Sequence, residues 1–180
     1  MVYVLLADGF ETIEALAPVD MLRRAGADVR TVSVKLGTLE VVSSQKVRVL
    51  ADIGLDQLNT ADMSMLVIPG GLPGTTNLDH LEQMDELLRK AAEQNCYIAA
   101  ICAGPSVPGK RGYLNGKKAI CYPGFESELH GAEICRQRVV QDGNMITAIG
   151  AGACIEFGLT LVRVLLGDAT ADRIRESIRG

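Results

Sequence analysis

Three short stretches of this 180-residue chain are apolar throughout: residues 2–7, Met65–Ile68 and Tyr97–Ile101. A strand with one wet face alternates apolar and polar residues, so uninterrupted runs of this length belong to strands covered on both sides. Segments of helical spacing lie between them. Ile13, Leu16, Ala17, Met21 and Ala25 recur at helical intervals and stop at Gly26, as the end of a helix should. Leu78, Leu81, Met84, Leu87, Leu88 and Ala91 predict one further helix. Ile155, Leu159, Val162 and Leu166 predict a long one opened by Gly150-Ala151-Gly152, followed by a short terminal helix over 168–178. Residues 28–34 read as a second strand. Val41-Val42 and residues 46–50 read as a short hairpin, because Val47 and Val49 alternate with Lys46 and Arg48. Residues 118–122, 138–141 and 145–149 supply further strands, the last two joined by a turn at Asp142-Gly143. This alternation predicts an α/β fold: a doubly wound, mostly parallel sheet with helices on both faces, formed by residues 1–180 as one domain.

In such sheets the ligand crevice lies beyond the C-terminal ends of the strands. Three strand ends carry unusual residues. The run Tyr97-Ile98-Ala99-Ala100-Ile101 stops at Cys102-Ala103-Gly104-Pro105. Small residues there allow a sharp turn into a helix, the arrangement of a nucleophile elbow with cysteine in place of serine. A sulfur at that corner faces a helix start, where a thiolate is favoured, so a lowered Cys102 pKa is expected. A buried, inert cysteine is the alternative. The first strand ends in Asp8-Gly9-Phe10-Glu11-Thr12-Ile13-Glu14. Glu14 falls close to an apolar helical stripe, where a carboxyl stays protonated and can donate to a sulfur. Glu11 competes for that role, and both could simply be acids at a helix start. Pro69-Gly70-Gly71 ends the third strand, with Gly70 and Gly71 either offering backbone N–H groups to an oxyanion or forming an ordinary turn.

Charge and cysteine usage narrow the class. A net charge of -4 gives no electrostatic reason to expect nucleic acid or an anionic membrane as partner. No apolar run approaches the roughly 18 residues of a membrane helix, and the first strand lacks the basic leader of a signal peptide. The five cysteines include no C-x-x-C and match neither a zinc site nor a disulfide framework, which points to a reducing cytoplasm. With only His80 and His130, a histidine-rich metal site is not expected, and no metal or other cofactor is called for.

The motifs taken together resemble the ThiJ/PfpI superfamily. They are Asp8-Gly9-Phe10-Glu11-x-x-Glu14, Pro18-Val19-Asp20, Arg23-Arg24-Ala25-Gly26, Pro69-Gly70-Gly71 with Asn77-Leu78, Ala99 through Pro105, and Gly150-x-Gly152 with Glu156-Phe157. The branch they are most similar to is the DJ-one group, that of the parkinsonism-associated deglycase. The resemblance implies a flavodoxin-like fold, a homodimer, Cys102 as reactive cysteine, Glu14 as the protonated carboxyl beside it, and the backbone of Gly71 and Ala103 as oxyanion donors. PfpI-type proteases place a histidine directly after the cysteine, where this chain has Ala103. Glutamine amidotransferases use a downstream His-x-Glu, absent here. Members of the DJ-one group often carry a pocket histidine near the position of His130, although the register differs by about one residue and a surface-loop histidine is the competing reading. Pro108 stands where the helix after Cys102 should run, which would shorten it.

Two functions are compatible with these residues. One is a cofactor-independent glyoxalase III- or deglycase-like enzyme, in which the Cys102 thiolate attacks methylglyoxal-type aldehydes or their glycated adducts and Glu14 shuttles a proton. The other is an oxidative-stress sensor or redox-regulated chaperone, in which Cys102 is oxidised to a sulfinate. A PfpI-type protease is a distant third, because its histidine is missing.

Overall fold

The computed structural model describes residues 1–180. In chain order the strands are β1 (Val2–Leu6), β2 (Val29–Ser33), β3 (Glu40–Val42), β4 (Arg48–Leu50), β5 (Ile53–Gly54), β6 (Met65–Ile68), β7 (Tyr97–Ile101), β8 (Lys118–Ala119), β9 (Glu133–Ile134), β10 (Val139–Asp142) and β11 (Met145–Ala148). The helices are α1 (Thr12–Arg24), α2 (Gly74–Asp79), α3 (Met84–Glu93), α4 (Ser106–Lys110), α5 (Cys154–Leu166) and α6 (Asp168–Ser177). Seven strands form the central sheet in the order β10-β11-β7-β6-β1-β2-β5. All its pairings are parallel except the edge pair β10–β11.

The apolar runs are explained by burial on both faces. Val2, Val4 and Leu6 of β1 join one core cluster with Ala15, Val19 and Leu22 of α1, Phe157 and Leu161 of α5, and Ala171 and Ile174 of α6. Tyr3, Leu5 and Ala7 point the other way, into a cluster with Met84, Leu87, Leu88 and Ala91 of α3 and Val107 of α4. Successive side chains of one strand therefore serve two hydrophobic layers. From β1 the chain turns to β2 on one side, and later lays β6 and β7 on the other. The reversal of strand order beside β1 opens a crevice where the loops after β1, β6 and β7 meet.

Several local expectations change. The stripe from Leu78 to Ala91 is divided between α2 and α3, which end and begin around the turn at His80 to Gln83. The break is closed by tertiary partners. Arg111, just past α4, donates to the Asp79 carbonyl at 2.9 Å and to its carboxylate, and Lys110 bonds the same carboxylate at 2.9 Å. Cations thus terminate α2 from another segment. The strand expected over 118–122 is regular only at β8, which pairs with β9. Beyond it the chain leaves the ladder, and the Ile120 N–H turns to the Thr147 hydroxyl at 3.0 Å. The edge strand β5, two residues long, has too little pattern to be seen in sequence. The β3–β4 hairpin and the halt of α1 before Gly26 are as expected, with Gly26 at φ +82°. No helix is long and apolar enough to cross a membrane.

Candidate active site

Parallel register brings the three marked strand ends together. Val4 is level with Val67, and Ile68 with Ala100, so the loops leaving β1, β6 and β7 emerge side by side. The Glu11 N–H at the start of α1 donates to the Gly70 carbonyl at 2.9 Å, which ties that helix to the turn after β6. One helical step then separates two fates. Ile13 is half exposed, whereas Glu14 is 1% exposed on the same face as Ala15, Pro18 and Val19. The Gly70 N–H donates to Glu14 Oε2 at 3.0 Å. Glu11 points away, its carboxylate accepting from Gln45 Nε2 at 2.7 Å and from the Ser44 hydroxyl at 3.3 Å, both in the β3–β4 turn. Of the two carboxyls left open by spacing alone, Glu14, the one the family resemblance implies, is the one inside.

Cys102 has φ +64°, in the left-handed region that non-glycine residues rarely enter. Such a conformation costs about 1–3 kcal/mol and persists only where its surroundings enforce it. They do so here from both sides. The Cys102 N–H donates to the Ala148 carbonyl at 2.9 Å, and its carbonyl accepts from the Tyr122 N–H at 2.9 Å. Two glycines make the close turn possible. A Cβ at Gly104 would lie 2.5 Å from the Ile68 carbonyl oxygen, and one at Gly70 would lie 2.6 Å from the Cys102 Cβ. The sharp strand-to-helix corner expected at Cys102 is therefore present, and its sulfur is half-buried.

The polar groups that act on Cys102 Sγ are the Glu14 carboxyl, which disfavours its ionisation, and the backbone N–H groups of Ala103 and Gly71, which favour it. The helix that follows is α4, five residues long and containing Pro108, so the local stabilisation of a thiolate comes from these two N–H groups rather than from a helix dipole. Burial, together with the Glu14 charge, pushes the Cys102 thiol up to about 12, against the lowered value the turn chemistry suggests. Burial pushes Glu14 up to about 7, reinforced by the nearby Glu11 charge and opposed by hydrogen bonds from Cys102 and from the N–H groups of Gly70 and Ala151. Each ionised group raises the other's proton affinity, so the pair behaves as one unit sharing a proton and holding at most a single negative charge near neutrality.

Gly70, Gly71, Ala103, Cys102 and Glu14 are thus brought to one place. His130 is not drawn into their hydrogen bonds: it is exposed and bonds to neither Cys102 nor Glu14. Tyr122 and Gly150, which the sequence reading did not place in the site, are neighbours of the nucleophile. The sequence signal was weak, namely Tyr122-Pro123-Gly124 closing the segment after β8. The remaining cysteines are unpaired; Cys96, Cys121 and Cys154 are buried and Cys135 is partly so. No group of three or more His, Cys, Asp or Glu side chains is placed to hold a metal ion.

The family model for the DJ-1/PfpI family matches residues 1–164. Protein DJ-1 homolog B of Arabidopsis thaliana is 40% identical over 167 residues, which are 92% of this chain and 38% of that protein, so the chain spans about two fifths of that relative. A deglycase of Pyrococcus horikoshii is 31% identical over 150 residues, 82% of this chain and 88% of its own. Among solved structures, oxidised Toxoplasma gondii DJ-1 superposes with a TM-score of 0.92 at 34% identity, covering 98% of this chain and 96% of that one.

Proposed function

The chain belongs to the DJ-1/PfpI family, and we propose that it is a cofactor-independent, cysteine-dependent glyoxalase or deglycase acting on methylglyoxal-type aldehydes and their glycated adducts. The observation that carries this reading is the strained corner at Cys102, whose sulfur meets one buried carboxyl and two backbone N–H donors. A relative named as a deglycase supports it.

The chemistry follows from the shared proton. Moving it from sulfur to Glu14 creates a thiolate and a neutral carboxyl, without a net charge change in the buried site. The thiolate adds to the aldehyde carbon of methylglyoxal, and the oxyanion is met by the N–H groups of Gly71 and Ala103. Glu14 gives its proton to that oxygen, completing a hemithioacetal. As a carboxylate it then removes the proton from the former aldehyde carbon, and the electron pair moves to the neighbouring ketone through an enediol. Reprotonation of the adjacent carbon leaves a lactoyl thioester on Cys102. Water cleaves the thioester, releasing lactate and returning the thiol, so one water is added to methylglyoxal overall; the aldehyde carbon is oxidised as the ketone carbon is reduced, and no external oxidant or reductant is needed.

A second reading rests on the same pocket. A protonated carboxyl and two N–H groups are suitable hydrogen-bonding partners for the oxygens of a Cys102 sulfinate, and the relative from Toxoplasma gondii is described in oxidised form. A cytoplasmic homodimer is part of the proposal, to be checked by light scattering and fractionation. The deciding experiment for catalysis is methylglyoxal turnover by the purified protein and by Cys102→Ala. Lactate formation that survives Cys102→Ala rules the mechanism out.

A further inference from the structure

The start of α1 has no cap of its own. Glu11 stands at the N-cap position, and its side chain makes no capping bond. The first N–H groups of a helix have no acceptor inside it, so they need one from elsewhere. Here it comes from the tip of the β3–β4 hairpin. Gln45 Oε1 accepts from the Thr12 N–H at 3.3 Å and from the Thr12 hydroxyl at 2.7 Å. The other end of the same amide donates from Nε2 to Glu11 Oε2 at 2.7 Å. One exposed side chain thus uses both its acceptor and its donor on two successive residues of another segment. The backbone around it is tied down as well. The Ser44 N–H donates to the Phe10 carbonyl at 2.9 Å, and the Gly9 N–H to the Val42 carbonyl at 2.8 Å. Glu14 lies in the helical turn that this clamp closes.

We propose that Gln45 is a positioning residue for Glu14: its amide holds the first turn of α1 shut over the buried carboxyl and keeps the Glu11 carboxylate turned outward. This rests on the glyoxalase reading only where it concerns turnover. The ionisable groups around Glu14 are Glu11 on its own helix, Cys102 at the end of β7 and Cys154 at the start of α5. Burial is the foremost reason that Glu14 keeps its proton. A loosened first turn admits water, so the carboxyl then ionises at lower pH.

The test follows alkylation of Cys102 by iodoacetamide against pH, read by peptide mass, in the wild type, Gln45→Met and Arg48→Ala. The thiolate displaces iodide and forms one S–C bond, its proton having passed to Glu14 or to solvent. Once the Cys102–Glu14 pair has lost its first proton, the two groups share the second, so the rate climbs with pH up to that loss and then levels. Methionine matches the length of Gln45 and makes neither clamp bond. Arg48→Ala breaks the Arg48–Glu40 bridge of the same hairpin and leaves the clamp intact. Gln45→Met is expected to lower the midpoint by about half a pH unit or more. It should also reduce kcat for methylglyoxal roughly three- to tenfold, with KM held within about twofold. Arg48→Ala keeps the wild-type midpoint. An unchanged or raised midpoint in Gln45→Met, an equal shift in Arg48→Ala, or full turnover by Gln45→Met each overturns the proposal. If the wild type forms no lactate while the midpoint moves as expected, the clamp stands and the glyoxalase reading falls.

Discussion

Cys102 and Cys154 are both close enough to Glu14 to feel its charge, and burial pushes both thiols up to about 12. They differ in backbone and in donors. Cys154 opens α5 with an ordinary helical φ of -56° and is 3% exposed among core side chains. Cys102 occupies a left-handed corner, half-buried, where the Gly71 and Ala103 N–H groups favour a charged sulfur and the Glu14 carboxyl stands near enough to oppose it. Burial alone makes a thiol inert. Reactivity needs access, plus donors placed where negative charge develops and a partner that can take the proton.

The largest test of that contrast is removal of either sulfur. Cys102→Ser should reduce methylglyoxal turnover by roughly a thousandfold or more, as loss of a nucleophile does, while Cys154→Ser should stay within about twofold because it changes one buried atom away from the donors. Comparable losses in both would mean that the corner confers nothing special. Next comes the proton partner. Glu14→Gln keeps the volume and can still donate to sulfur but cannot shuttle a proton, so kcat should fall by about 10²-fold or more. Steady-state rates near the wild-type value would remove Glu14 from the mechanism.

Glu14 also marks stability. With a folded pKa of about 7 against an ordinary value of 4.5, the folded protein holds this proton more tightly than the unfolded chain does. Its contribution is fully present below pH 4.5 and is lost as pH rises through about 7, amounting to about 3 kcal/mol. Urea midpoints should therefore decline across that window in the wild type more than in Glu14→Gln. Parallel curves for the two proteins would show that Glu14 is ionised throughout. The smallest effect concerns oxidation. Mild peroxide should add two oxygens at Cys102 about tenfold faster than at Cys96, Cys121, Cys135 or Cys154, because susceptibility follows access and stabilisation of the charged sulfur. Earlier oxidation of any other cysteine, read by peptide mass across a peroxide series, would sink the redox reading.

How much could be read from residues alone varies with the range of the interaction. The two-faced strands were legible because every position of residues 2–7 is apolar, and the corner at Cys102 because Ala103, Gly104 and Pro105 follow it at once. The division of α2 from α3 was not legible, since Arg111 and Lys110 cap Asp79 from some thirty residues away. The short α4 was foreshadowed by Pro108, and its consequence is that two N–H groups, not a dipole, face the sulfur.

What the sequence by itself determined is the local grammar: apolar runs that demand cover on both faces, glycines where chains must touch, a cysteine and two glycines at strand ends, and a carboxylate in the first turn of the helix that follows the first strand. Spacing alone left Glu11 and Glu14 open and the resemblance implied Glu14; only the tertiary structure supplies the physical reason, with Ser44 and Gln45 holding one carboxylate outside and Gly70 bonding the other within. It also placed Tyr122 and Gly150 beside Cys102, and it reversed the expected direction of the Cys102 pKa. Proton affinity depends on desolvation and on the charges across the pocket, and those are set by packing between segments far apart in the chain.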